Sequence, residues 1–428
     1  MTREMVTKSI RMWYYFTKLI PRKERSMPVV APHIRDSIAN SSFIRRMFEE
    51  GIKMKAQFGA DNVFDFSIGN PDLEPPRKVK DTLAKLAASG TKGLHGYMPN
   101  AGYPETREAM ARKVSREQGV TIDYTHIVMS VGAAGAMNAV FKAILSPGDE
   151  VLVPSPFFVD YVQYARNHGG SLHPVPTKPD FSLDTDAIAA ALSEKTAAII
   201  INSPNNPTGK IYSADDISRL VAVLAKHERS SGRTVVLVAD EPYRDIVYDK
   251  RTIAPVFPVW PASVVVTSFA KNLSLPGERI GYAAVNPACP ESSLLVDGII
   301  FATRALGYVN APATFQRVVA ECWNEPVNYS SYETRRNKLT ANLRAAGIDY
   351  AEPEGAFYLF CKVPSRKGEN AEETGDDMAF CDHLKDYHIL GVPGSGFGKT
   401  GWFRLAYCVS ERSIELSANA FVRARAEW

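Results

Sequence analysis

Val265-Val-Thr-Ser-Phe-Ala-Lys-Asn-Leu-Ser-Leu-Pro-Gly-Glu-Arg-Ile-Gly-Tyr282 begins as an apolar, β-branched run and turns polar after a few residues. With Val264 ahead of it, the run has the length and composition of a buried strand that leaves its sheet near Ser268. Lys271 stands just past that exit, and Arg279 follows beyond a turn signalled by Pro276 and Gly277. A hydroxyl, an amine and a guanidinium are thereby brought toward one spot. The trio suits a phosphorylated aldehyde: an amine condenses with the aldehyde to a Schiff base, while the hydroxyl and the planar guanidinium fork hold the phosphate.

Working outward, the pattern of short strand, polar exit and helix recurs. Val238-Ala-Asp-Glu-Pro-Tyr243 closes a strand that starts at Thr234 and leaves Asp240 at its tip. A carboxylate there is costly unless it meets a positive partner, such as a protonated pyridine nitrogen, or caps the next helix. Tyr243 can reach the same ring. Asn202-Ser-Pro-Asn-Asn-Pro-Thr-Gly209 follows a strand over Thr196–Ile201, and its prolines and paired asparagines make a stiff polar loop around Asn206. Between a strand at His126–Ser130 and an apolar helix at Ala136–Leu145, the tight turn Gly132–Gly135 can offer backbone N–H groups and a positive helix end to a phosphate. Phe158 heads a helix expected over Phe158–Asn167 and provides either a ring to stack on a flat ligand or a core aromatic. Further strands are expected at Glu150–Val153, Ser263–Thr267 and Gly281–Val285, and a capped helix starts at Ser213 with Asp216 three residues on. Strands alternating with helices imply an α/β fold with a mostly parallel sheet, covered on both faces and binding ligands at the carboxyl ends of its strands.

Beyond about residue 305 the pattern changes to long helices, Ala313–Trp323 and Tyr332–Ala345, and to separate strands at Gly355–Phe360 and Trp402–Ala406. A large domain over 77–305 and a smaller α+β domain made of 28–76 and 306–428 are therefore expected. In the first part of that smaller domain, Ser42–Gly51 reads as a helix stopped by its glycine, with Phe43, Ile44, Met47 and Phe48 on one face. Val63–Gly69 reads as a strand running into Asn70 and Pro71. The basic, aromatic leader over 1–26 is expected to lie outside the fold.

A chain of 428 residues exceeds what one core comfortably fills. Its apolar runs have strand length and fall short of a membrane span. Five widely spaced cysteines form no metal-binding or disulfide pattern, which points to a reducing, cytoplasmic setting and to no metal. Residues 1–30 carry seven Lys or Arg against two Glu, so with a chain total of +3 the remainder is slightly acidic and makes no electrostatic case for nucleic acid.

Taken together, Asn-Asn-Pro-Thr-Gly at 205–209, Asp240 with Tyr243, Ser268 with Lys271 and Arg279, and Arg404 in Gly401-Trp-Phe-Arg-Leu405 resemble the class I pyridoxal-phosphate-dependent aminotransferases of fold type I. The resemblance runs from about Met27 to the end of the chain. It implies a seven-stranded, mostly parallel sheet in the large domain and pyridoxal 5′-phosphate as cofactor. In that scheme Lys271 carries the cofactor and later moves a proton, and Asp240 keeps the ring nitrogen protonated. Asn206 and Tyr243 bond the ring oxygen, and Phe158 stacks on the ring. Ala133 and Ala134 through their backbone, with Ser268 and Arg279, hold the phosphate. Arg404 clamps the substrate α-carboxylate, and Gly69 and Asn206 lie against the substrate. Tyr97, in the glycine-rich loop 93–103, matches a residue that relatives lend to a neighbouring subunit's phosphate, so a homodimer is implied.

The implied reaction is transamination by a ping-pong Schiff-base mechanism, from an L-amino acid of aspartate or glutamate type to a 2-oxo acid such as 2-oxoglutarate. Arg304 is the candidate for a distal carboxylate across the dimer interface, with Arg35 as a second. Alanine- or aromatic-type transamination, a β-lyase of the same fold and a cofactor-binding regulator are the alternatives, since bond choice depends on orientation more than on residue inventory.

Overall fold

The computed structural model describes residues 29–40, 43–367 and 375–428. It divides into two compact units, Met1–Ser42 and Phe43–Trp428. In the first, the described part is the helix Pro32–Asn40, on which Arg35 is exposed. The leader over 1–26 lies outside the described residues.

In the second unit seven strands make one sheet: β2 (Ile127–Ser130), β3 (Glu150–Ser155), β4 (Ser171–Pro176), β5 (Thr196–Asn202), β6 (Val236–Asp240), β7 (Ser263–Ser268) and β8 (Gly281–Val285). Its order is β2-β8-β7-β6-β5-β3-β4, and β8 alone runs against its neighbours. Every residue of β2, β5, β7 and β8 is buried. Such continuous burial explains why these strands read as uninterrupted apolar runs instead of alternating ones. The expectation of a helix-covered, mostly parallel sheet therefore holds. Edge strand β4, Ser-Leu-His-Pro-Val-Pro, was not foreseen: Pro174 and Pro176 erase the strand signal, and an edge position tolerates them.

A four-stranded antiparallel sheet, in the order β12-β13-β10-β9, joins β9 (Tyr350–Ala351), β10 (Tyr358–Lys362), β12 (Val392–Pro393) and β13 (Trp402–Ala406). Separately, β1 (Phe64–Asp65) pairs in parallel with β11 (Ile389–Leu390). One large apolar cluster lies around the seven-stranded sheet, and another gathers Phe66, Tyr332, Phe357, Phe380, Phe421 and their neighbours around the smaller sheets.

Three local expectations need correction. The helix expected to stop at Gly51 runs on, over Phe43–Phe58. A Cβ at Gly51 would lie 2.8 Å from Asp65 Oδ2 and 3.1 Å from Leu390 Cδ1, so this glycine permits close packing and does not end the helix. Of its expected apolar face Met47 is buried, whereas the side chains of Phe43, Ile44 and Phe48 lie outside the described residues. Second, the turn after β2 is itself the first turn of a helix, Gly132–Ile144, which places Ala133 and Ala134 among the N–H groups that lack an intrahelical partner. Third, the helix expected from Phe158 starts at Tyr161, leaving Phe158 on the preceding loop. The capping box at Ser213 and Asp216 forms as expected.

Candidate active site

Strands β5, β6 and β7 end side by side, so their last residues define one polar edge. Asn202 stands opposite Asp240 in register, and Ser268 opposite Gly281. Asn202 donates to the Asp240 carbonyl at 2.9 Å and accepts from the Asn206 N–H at 2.7 Å, which fastens the stiff loop to this edge. The loop is also held from the other side, because Gly209 O accepts from the N–H groups of Glu354 and Gly355, both at 3.0 Å. Above the edge lies a cavity of about 360 Å³, a size suited to a small ligand. Eleven of the predicted residues line it: Gly69, Ala133, Ala134, Phe158, Asn206, Asp240, Tyr243, Ser268, Lys271, Arg279 and Arg404.

Lys271 keeps some exposed surface, but its amine is turned inward and donates to the Gly69 carbonyl at 2.7 Å. Burial pulls that amine down to about 8, opposed by Cys408 and helped by Arg404 and Arg279, so a neutral fraction exists near physiological pH. Asp240 is 7% exposed. Burial pushes it up to about 7, a hydrogen bond from Tyr161 pulls it back, and Glu241 pushes further. Tyr161 donates to Asp240 Oδ2 at 2.5 Å, whereas Oδ1 is buried with no partner. A buried carboxylate oxygen left without a donor is costly, and a protonated ring nitrogen would relieve that cost.

Arg404 lies in β13, between β10 and β12, and is 3% exposed. Its Nη1 donates to Asn206 Oδ1 at 3.0 Å and its Nη2 to the Ser67 carbonyl at 2.7 Å, while Nε is buried without a partner. Burial lowers its pKa, against Tyr358, Tyr243 and Cys408. The Asn206 oxygen is taken up by Arg404, which leaves its amide NH₂ for a ligand. Burial holds Tyr243 well above the ordinary tyrosine value, so it remains a proton donor, and its hydroxyl meets that of Tyr358 at 2.9 Å. Phe158 makes an edge contact with Tyr161 at 5.6 Å between ring centroids.

The phosphate end follows from backbone geometry. Gly132 has a φ of +80°, and a Cβ there would come within 2.9 Å of Arg279 Nη2. The helix N-terminus at Gly132 has no side-chain cap, so its N–H groups remain for an anion. A phosphorylated pyridine aldehyde fits these residues at both ends: the free Asp240 oxygen at one, the helix N-terminus, Ser268 and Arg279 at the other.

Tyr97 and Arg304 are not brought into this cavity within one chain. Tyr97 is 95% exposed, and Arg304 is exposed on the helix Ser292–Ala305 with its guanidinium 5.7 Å from the Phe301 ring. Among the lining residues that the sequence did not single out, Tyr161 and Tyr358 place a hydroxyl against a predicted residue, Asp240 and Tyr243 respectively. Each sits in an apolar pattern that reads as core, and only the hydroxyl's partner distinguishes it.

The model of the family described as aminotransferase class I and II matches residues 61–421. The chain belongs to that family. It is an aminotransferase of fold type I, and members of this family generally use pyridoxal phosphate. A probable aspartate/prephenate aminotransferase of Aquifex aeolicus is 34% identical over 82% of this chain and 88% of its own length. The aspartate/prephenate aminotransferase of Thermus thermophilus is 32% identical over 83% of this chain and 89% of its own length. Among solved structures, an amino transferase from Eubacterium rectale superposes with a TM-score of 0.88 at 36% identity, covering 94% of this chain and 99% of that one. A Thermus thermophilus aspartate aminotransferase with maleate gives 0.80 at 27%, covering 93% and 100%. Membership answers the choice between transaminase, lyase and regulator in favour of the first.

Proposed function

We propose that this aminotransferase binds pyridoxal 5′-phosphate in the cavity above β5–β7 and moves the amino group of an L-amino acid of aspartate or glutamate type to a 2-oxo acid such as 2-oxoglutarate. The observation that carries the reading is the convergence of the inward Lys271 amine, the partnerless Asp240 oxygen and the buried Arg404 guanidinium on one cavity. Bound there, the cofactor supplies an aldehyde for the amine and a ring that draws electrons from the substrate's α-carbon.

The chain's own residues do the rest. The N–H groups of Ala133 and Ala134, with Ser268 and Arg279, anchor the phosphate. Asp240 offers a carboxylate to the ring nitrogen, Phe158 covers a ring face, and Tyr243 and the Asn206 amide serve the ring oxygen. Arg404 receives the α-carboxylate as a bidentate partner beside Gly69. The Lys271 amine, partly neutral near pH 7, takes and returns the proton at the α-carbon.

Among the described residues, the cavity's cationic lining consists of Lys271, Arg279 and Arg404, all with roles already. Following the resemblance, we read Arg304 of a second copy as the partner of a distal carboxylate and Tyr97 of that copy as part of the phosphate site. The names of the relatives support the dicarboxylate substrate, and the exposure of Tyr97 supports the dimer. We also read 77–305 as the large domain and 28–76 with 306–428 as the small one, supported by the pairing of Phe64–Asp65 with Ile389–Leu390. The unpaired, buried cysteines support a cytoplasmic location.

A half-reaction tests the proposal. The purified protein is loaded with pyridoxal phosphate and mixed with single amino acids while visible absorbance and keto-acid release are followed. Aspartate or glutamate should bleach the cofactor band, 2-oxoglutarate should restore it, and Arg304→Ala should slow the dicarboxylates but spare alanine. A protein that takes up no pyridoxal phosphate would contradict the cofactor assignment, and equal effects of Arg304→Ala on alanine and aspartate would contradict the dicarboxylate one.

A further inference from the structure

Tyr358 opens β10, one strand away from Arg404, and is 3% exposed. Three groups of the site meet it. Its hydroxyl lies 2.9 Å from that of Tyr243. Its ring lies 4.6 Å from the Arg404 guanidinium, which also lies 4.8 Å from the Phe397 ring. A Cβ added to Gly69 would fall 2.1 Å from the Tyr358 hydroxyl, so only glycine lets the backbone pass at this point, and that glycine's carbonyl accepts from Lys271.

We infer that Tyr358 is a positioning residue that sets Arg404, Tyr243 and the Gly69 carbonyl in one frame, so that one side chain fixes the carboxylate clamp and the ring-oxygen donor together. The inference rests on the reading of this cavity as a pyridoxal phosphate site. Its ring acts on Arg404, since a desolvated guanidinium is attracted to an aromatic face. Its hydroxyl acts on Tyr243, since a second hydroxyl orients the first and shares its proton. Burial raises the Tyr358 pKa to about 12, partly offset by Arg404, so the hydroxyl keeps its proton across the working range.

The two parts separate in two substitutions, Tyr358→Phe and Tyr358→Leu, each loaded with pyridoxal phosphate and checked for folding by circular dichroism. Tyr358→Phe keeps the ring but loses the hydroxyl. It should raise the pH midpoint of the bound cofactor's absorbance change by about half a unit, the worth of one neutral hydrogen bond. Tyr358→Leu also loses the ring and should in addition raise KM for L-aspartate by roughly tenfold, with a smaller change in kcat. An unmoved midpoint in Tyr358→Phe overturns the inference whatever the substrate results. A wild-type protein that fails to take up the cofactor overturns the cofactor reading instead, and the two failures cannot be confused.

Discussion

Replacing Asp240 by Asn should make the cofactor-free protein less sensitive to rising pH, the opposite of what loss of a site carboxylate suggests. In the folded chain burial lifts Asp240 to about 7 from an ordinary value of 3.8. Between these two values the folded state retains a proton that the unfolded chain has released, so stability falls as pH rises and the whole loss is present above about 7. A shift of this size corresponds to on the order of 4 kcal/mol, of which roughly 3 falls between pH 5 and 8. Lys271, lowered to about 8, has added only about 0.4 kcal/mol by pH 8 and does so in both proteins, so the comparison isolates the carboxylate. Urea unfolding of apo wild type and Asp240→Asn at pH 5 and 8 gives the comparison directly. Wild type should lose about 3 kcal/mol more than the variant across the window. With pyridoxal phosphate bound, the positive ring nitrogen should remove that difference. Parallel pH profiles of the two apo proteins would refute the reasoning, because they would mean that Asp240 titrates in the fold as it does in water.

Two further outcomes follow. Arg404→Lys removes the planar fork that donates to Asn206 and the Ser67 carbonyl, and should raise KM about 10- to 100-fold for every amino acid tested, as initial-rate kinetics would report. Tyr161→Phe keeps the edge contact with Phe158 but leaves Asp240 Oδ2 without its donor, and should weaken pyridoxal phosphate binding about 5- to 10-fold in a fluorescence titration. The same variant should extend the pH-dependent loss of apo stability upward, because the missing hydrogen bond had been lowering the Asp240 pKa.

Much of the site is legible in the sequence because its members stand where an apolar run ends. Asp240 and Ser268 each close a buried strand, and Asn206 sits in a loop too stiff and polar for a plain turn. Tyr161 and Tyr358 were hidden for the converse reason: each is a buried aromatic in an apolar setting, and its function lies in where one hydroxyl points. Strand β4 escaped notice because its prolines contradict strand propensity, which an edge position overrides. The helix that continues through Gly51 shows the matching ambiguity, since a glycine needed for close packing carries the same letter as one that ends a helix.

The segment Phe66–Gly69 is a crossbar. Its carbonyls accept from the Ala406 N–H at Phe66, from Arg404 at Ser67 and from Lys271 at Gly69. The two groups that would grip a substrate therefore already grip the protein. Filling the pocket exchanges one set of hydrogen bonds for another, so calorimetry should record a heat of binding well below the sum of the contacts formed. For ligand design, a compound that leaves the crossbar bonds intact and takes only the partnerless oxygen of Asp240 would avoid that exchange.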